Sequence, residues 1–225
     1  LDLDPQASLT YSAGITEPEF TMLDVLQGVR PLHAILVEWE TVAIAPASTD
    51  LANLEVELVS RIGRENALKN TLKGLTGYDY VLIDSPPSLS VLTVNALNAS
   101  SEVLIPLQME ILSLQGLTMI WNTLREVKTG LGHKLKVRGI VPSMYDGRRR
   151  LSGEILDAVR ASTTEYVFET VIRVCVKIAE APSFAKSVLT YAPSSNGALD
   201  YVSLAKEFIA REVRNADWKE RAEAV

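Results

Sequence analysis

Residues 78–87 read "YDYVLIDSPP". From Tyr80 to Ile83 almost every side chain is apolar, without the in–out alternation of a strand that has one wet face. Such a run suits a strand covered on both sides, as in a parallel sheet sandwiched between helices. It ends abruptly in Asp84-Ser85-Pro86-Pro87.

Outward from this stretch the pattern alternates. Towards the N-terminus lie a strand stub at Leu1–Asp4, a short helix at Met22–Gln27, a strand at Thr41–Pro46 ("TVAIAP") and a periodic segment from about Leu51 to Leu75. Towards the C-terminus a helix is expected near Ser90–Asn98, a strand at Glu102–Gln108, a helix near Leu114–Gly130 and a strand at Leu135–Met144. A helix near Ser152–Ser162, a strand at Tyr166–Ile172 and a helix from about Leu199 to Ala216 complete the chain. Strands alternating with helices of this length predict an α/β fold with a doubly wound, mostly parallel sheet flanked by helices. No repeat or long linker interrupts it, so a single domain over 1–225 is expected.

Composition narrows the classes. The 225 residues, 47% of them hydrophobic, suffice for one sizeable core. A net charge of −6 argues against a generally basic nucleic-acid coat, while leaving room for a local basic patch. The single cysteine, Cys175, excludes an intramolecular disulfide framework and fits a reducing cytosol. No apolar run approaches the ~18 residues of a membrane span, so a soluble, cytoplasmic protein without membrane attachment is predicted.

In doubly wound sheets, ligands gather at the carboxyl ends of the strands. Those ends carry Asp2 and Asp4, Ala45-Pro46, Asp84, Gln108 with Glu110, and Met144-Tyr145-Asp146. Three aspartates after apolar runs fit a metal–phosphate site, because carboxylates hold Mg²⁺ or its waters and can polarise a nucleophilic water. Each aspartate taken alone is better explained as a cap or turn residue.

Taken together, "LDLDPQAS" (1–8), "YDYVLIDSPPSLSVLTVNAL" (78–97), "VLIPLQMEILSLQGL" (103–117), "GIVPSMYDGR" (139–148) and "VKIAEAPSFAKSV" (176–188) resemble the ParA/Soj family of chromosome- and plasmid-partitioning ATPases. The segments follow the family's order and spacing from Leu1 to about Ile209. The related MinD and nitrogenase-iron-protein branches fit less well: one cysteine cannot ligate the iron protein's cluster. The tail "REVRNADWKERAEAV" also lacks the broad apolar face of a membrane-binding helix.

The resemblance implies a P-loop NTPase-like fold of the ParA/MinD type. In that family the segment resembling "LDLDPQ" is the second strand, preceded by a first strand and a deviant Walker A loop. None of the 12 glycines here is followed by lysine, so no G-x-x-x-x-G-K-[ST] loop occurs. About 30–40 residues, the size of one βα unit with its loop, are the missing counterpart. The expectation is a piece of a longer chain, with a natural loop-less paralogue acting as a binding module as the alternative. Loss of an interior strand would expose sheet edges and apolar surface.

The resemblance also assigns roles. Asp4 matches the aspartate that orients the attacking water or the magnesium shell. Asp2 is a second magnesium–water ligand, and Asp84 the Walker B aspartate that holds Mg²⁺ through water. Pro86 and Pro87 shape the turn after that strand, and Gln108 and Glu110 lie in a nucleotide-sensing stretch. At the adenine site relatives read Ile-Pro-Arg-Asn-Val, where this chain places Arg173, Val174 and Cys175 in the Pro-Arg-Asn positions. Cysteine cannot pair with an adenine edge through both a donor and an acceptor as asparagine does. Glu180, Ala181 and Pro182 are expected along the nucleotide edge. ATP and Mg²⁺ are the implied cofactors. The implied partners are a second copy bound through ATP, nonspecific DNA at the nucleoid, and a ParB-like centromere-binding protein. Candidate DNA contacts are Arg148, Arg149, Arg150, Lys177 and Lys186, while Asn196 stands where some relatives carry a basic residue.

Overall fold

The computed structural model describes residues 1–88 and 90–223, with the backbone alone from 213 to 223. Its helices are α1 (Ser8–Ser12), α2 (Met22–Gln27), α3 (Leu51–Val59), α4 (Ala67–Leu72), α5 (Val91–Ala99), α6 (Ser113–Leu131), α7 (Arg150–Ser162), α8 (Val176–Glu180), α9 (Val188–Tyr191) and α10 (Asn196–Glu223). Its strands are β1 (Val37–Trp39), β2 (Val42–Ile44), β3 (Glu102–Gln108) and β4 (Lys136–Ser143). The chain forms two compact units, the first made of residues 1–103, 120–136 and 181–187, the second of the remainder.

In the first unit β1 and β2 form an antiparallel hairpin, and the chain after β2 carries the sheet inward. The Asp2 amide donates to the Ala45 carbonyl (3.0 Å), the Leu3 amide to the Asp84 carbonyl (2.8 Å) and the Asp84 amide to the Leu1 carbonyl (2.9 Å). Asp2 and Asp84 thus face each other in parallel, with the 1–3 ribbon between β2 and the 82–84 ribbon. Leu3, Met22, Val25, Leu51, Leu54, Leu58, Leu68 and Leu92 form the core against this sheet. Helix α2 starts at a capping box: Thr21 Oγ1 accepts from the Leu23 amide, and Asp24 Oδ2 accepts from the Thr21 amide. It stops at Gly28, whose φ of 81° suits a residue without Cβ. The periodic segment 51–75 is interrupted between α3 and α4 by a 3₁₀ turn at Arg64–Asn66. Buried Asn95 on α5 holds that break, accepting from the Leu68 amide and donating to the Arg64 carbonyl.

The 80–83 stretch departs from expectation. It is paired along one edge only, and Tyr80, Val81 and Leu82 are 52%, 43% and 81% exposed instead of covered on both faces. An apolar run favours burial, but covering its two faces takes elements packed against the sheet, which the local sequence does not contain.

In the second unit β3 and β4 lie side by side, the Met109 amide bonding to the Ser143 carbonyl. The expected strand Tyr166–Ile172 is reduced to a ribbon touching β4 and its extension at two parallel bridges, Ile140↔Val167 and Tyr145↔Arg173. Its close approach depends on Gly139, where a Cβ would lie 2.7 Å from Phe168 Cε2 and 2.9 Å from the Tyr166 carbonyl. Val141, Phe168 and Ile172 make the core there, with Leu204 and Phe208 of α10 against it. Glu207 latches α10 onto the ribbon by accepting from the Tyr166 hydroxyl (2.7 Å) and the amides of Glu169 (2.8 Å) and Thr170 (2.9 Å). The side chains of the tail from 213 onward, read above as lacking an apolar face, lie outside the described residues. No described helix is long and apolar enough to cross a membrane.

Candidate active site

The sheet of the first unit brings Asp2, Asp4 and Asp84 to one rim, because 1–4 and 82–84 run in parallel and end together. The three differ sharply. Asp2 has no exposed surface. Its Oδ2 accepts from the Thr10 amide (2.9 Å) and the Thr10 hydroxyl (2.7 Å), and its Oδ1 from the Asp4 amide (3.2 Å). The carboxylate expected as a second magnesium–water ligand is therefore committed to donors within the fold. Thr10 Oγ1 in turn accepts from the Ala47 amide (2.8 Å), tying Asp2 to the end of the β2 ribbon. No sequence spacing marks Thr10 for this task.

Asp4 is half-buried at the turn that follows, its Oδ1 accepting from the Gln6 amide at 2.9 Å. Asp84 lies on the open side. Partial burial, followed by the negative charges of Asp2 and Asp4, pushes its carboxyl above the ordinary value. A raised pKa beside two other carboxylates marks a place short of positive charge. A divalent cation with oxygen ligands fits that deficit. Among the described residues, no three carboxylate, histidine or cysteine groups are arranged to ligate a metal directly. Pro86 is buried in the turn after Asp84, and its carbonyl accepts from the Thr93 hydroxyl (3.1 Å), which fixes the start of α5.

The remaining candidates of the first unit are Ala181, Pro182 and Lys186. Ala181 is buried and its carbonyl accepts from the Lys186 amide (3.3 Å), closing a turn with Pro182. Lys186 is exposed and makes no ion pair among the described residues.

The other candidates belong to the second unit. Gln108 and Glu110 are exposed between β3 and α6, the Glu110 amide bonding to the Gln108 carbonyl (2.9 Å). Cys175 is half-buried before α8. Burial raises its thiol pKa, but amides of Gly197, Lys177 and Ile178 and the Ser195 hydroxyl outweigh that and lower it. Glu180 accepts from Lys177 Nζ (2.8 Å) and the Tyr191 hydroxyl (3.1 Å), so this lysine is already paired. Arg173, in place of the relatives' proline, grips Asp200 on α10 with Nη2 at 2.6 Å and Nε at 2.9 Å. The arginine run is likewise compensated. Asp146 accepts from Arg148 Nε (2.9 Å), lies 3.5 Å from Arg149 Nε and has its carboxyl lowered to about 2, while Arg150 pairs with Glu154 (2.7 Å).

Comparison with known proteins gives these features a context. The AAA domain family matches residues 1–137. The chromosome partitioning protein ParA of Caulobacter vibrioides is 40% identical over 219 residues, covering 94% of this chain and 82% of that protein. The chromosome-partitioning ATPase Soj of Thermus thermophilus is 42% identical over 211 residues, again covering 94% and 82%. Among solved structures, cobyrinic acid a,c-diamide synthase of Mycobacterium smegmatis, bound to an ATP analog and magnesium, matches with a TM-score of 0.80 and 34% identity. That match spans 91% of this chain and 78% of the other. By sequence and fold, the chain belongs to the ParA/Soj family of partitioning proteins, with an α/β architecture of the ParA/MinD P-loop NTPase type.

Proposed function

We propose that this protein is a partitioning ATPase of the ParA type, its 225 residues forming one ATPase domain. In this reading it binds ATP with Mg²⁺, dimerises around the nucleotide and holds DNA without regard to sequence. A ParB-like centromere-binding partner stimulates hydrolysis and release. The observation that carries the reading is the meeting of Asp4 and Asp84 at one rim of a parallel sheet, anchored by the enclosed Asp2, in a chain 40% identical to a chromosome-partitioning ParA.

The residues divide the work. Asp84, with its raised pKa and open face, would hold the magnesium through water. The ion would supply charge to the β- and γ-phosphates. Asp4, half-buried at the turn after the 1–3 ribbon, orients the attacking water. Asp2 and Thr10 fix the backbone that carries Asp4. By resemblance to the family, Gln108 and Glu110 would report the nucleotide state, and Cys175, Glu180, Ala181 and Pro182 would border the base.

Phosphate binding needs backbone amides and a lysine in a glycine-rich loop, and no such loop occurs within these residues. The proposal therefore assigns hydrolysis to this chain joined to a phosphate-binding loop, and little ATP affinity to the 225 residues alone. The second reading is a non-catalytic binding module that pairs with a complete ATPase. The test compares hydrolysis with and without DNA and the ParB-like partner, in protein carrying a family-type Walker A segment before Leu1. Stimulated turnover that Asp4→Ala abolishes supports the ATPase. Turnover unaffected by Asp4→Ala overturns the assignment, and no ATP binding at all favours the module.

A further inference from the structure

Strand β1 is the outer strand of its sheet, and its outward edge is open. The register Val37↔Ile44, Glu38↔Ala43, Trp39↔Val42 around a two-residue loop makes 39/42 and 37/44 the hydrogen-bonded pairs. The N–H and C=O of Glu38, and those of Leu36 in line with it, therefore point away from β2. Among the described residues no loop or turn backbone bonds to either. Leu36 and Glu38 line a cavity of about 430 Å³ whose far wall is formed by Gly74, Leu75 and Tyr78. A second cavity, of about 530 Å³, shares His33, Gly74 and Leu75 with the first and prolongs it past Val25 and Leu32 to Arg30. The two form one groove along the open edge, and none of Asp2, Asp4 and Asp84 lines it.

Arg30 defines the chemistry of the far end. Its guanidinium lies 4.1 Å over the Phe20 ring, which fixes its direction, and it makes no ion pair among the described residues. His33 adds an imidazole on the same wall. A groove with exposed ladder groups and the Glu38 carboxylate at one end, leucine and valine along it and an arginine without an ion pair at the other end points to one occupant, an extended segment whose acidic group lies at the Arg30 end. We propose that it binds an extended acidic–apolar segment of a partner protein as an added strand on β1. Main-chain bonds to Leu36 and Glu38 supply the ladder. Alternate side chains of the segment enter the groove, since they point to one face every second residue, and a carboxylate meets Arg30. A helix could not use the ladder groups, because its own backbone is already bonded.

The probe is an acetylated, amidated hexapeptide of alternating valine and aspartate, titrated into the 225-residue chain with amide exchange followed residue by residue. Slowed exchange at Leu36 and Glu38 is expected, with affinity at least about tenfold weaker for the valine–lysine peptide and for Arg30→Ala. Gly74 offers a clean block: a Cβ there meets open space and its backbone is not in the left-handed region. Gly74→Trp should fill the groove and weaken binding about tenfold or more; if it fails to fold, Gly74→Val serves the same purpose. The proposal is overturned by no saturable binding up to about 1 mM, by protection elsewhere than β1, or by unchanged affinity in the Arg30 or Gly74 variants.

Discussion

Asp84 shows how a single residue carries the tension of the site. Its carboxyl is held above the ordinary value, first by partial burial and then by Asp2 and Asp4. The folded chain therefore holds that proton more tightly than the unfolded chain does. The associated stability is fully present below the unfolded value near 3.8 and is lost as pH rises through the folded value. At neutral pH, Asp84→Asn should make the chain more stable, by less than about 1 kcal/mol because the side chain is largely open to solvent. Urea unfolding from acid to neutral pH tests this; a gain that persists unchanged in acid would show another cause. Asp2→Ala should act in the opposite sense, costing about 2–3 kcal/mol, since it strips acceptors from Thr10 and the Asp4 amide at a side chain with no exposed surface. All three aspartates were legible in the sequence as polar residues closing apolar runs. The difference between the enclosed Asp2 and the open Asp84 was not, because it rests on Thr10, which contacts Asp2 only once the chain has turned through α1.

At the scale of elements, the longer helices and strands could be read from periodicity, whereas the four- and five-residue helices α1, α8 and α9 were not. Met22–Gln27 and Glu102–Gln108 coincide with expectation to the residue, since a capping box at one and a run of strand formers at the other are local signals. Short ribbons fared differently. The Tyr166–Ile172 stretch has strand composition, yet it touches its neighbour at isolated bridges; ladder length is decided by the partner, which no local pattern contains. β1 escaped notice for the same reason, being three residues long and defined only by β2. The bridging ribbon makes a firm prediction at Gly139. An added Cβ would press on the Phe168 ring and the Tyr166 carbonyl, so Gly139→Ala should destabilise by about 1–3 kcal/mol. Chemical denaturation measures it, and a neutral result would mean that the ribbon gives way freely. Glu207→Ala should release three donors at once; faster amide exchange at 166–170 and in α10 is the expected sign, and unchanged exchange there would rule out the latch.

For the whole molecule, the proposed binding of DNA has to work against a net charge of −6. Diffuse attraction is unfavourable, so proposed DNA contacts must act as a local patch within a screening length of roughly 8 Å. Most candidate cations are spoken for: Arg148 and Arg149 surround Asp146, Arg150 meets Glu154, and Lys177 meets Glu180. Asp146 is the master of this arrangement. The Arg148 guanidinium lowers its carboxyl to about 2, so it is ionised at neutral pH beside both arginines. Lys186, by contrast, is exposed without an ion pair among the described residues. Phosphate binding releases counterions, and each contact adds about one unit to the slope of log affinity against log salt. Lys186→Ala should therefore weaken binding and flatten the slope by about one unit, whereas Arg150→Ala, which also frees Glu154, should do at least as much through the charge it leaves behind. The decisive variant is Asp146→Asn. It leaves Arg148 and Arg149 without their carboxylate, so affinity for random-sequence duplex should rise and the slope steepen. Anisotropy titrations between about 50 and 200 mM salt distinguish the outcomes. Unchanged affinity in Asp146→Asn would remove the arginine run from the DNA surface, and an unchanged slope in Lys186→Ala would remove the lysine as well.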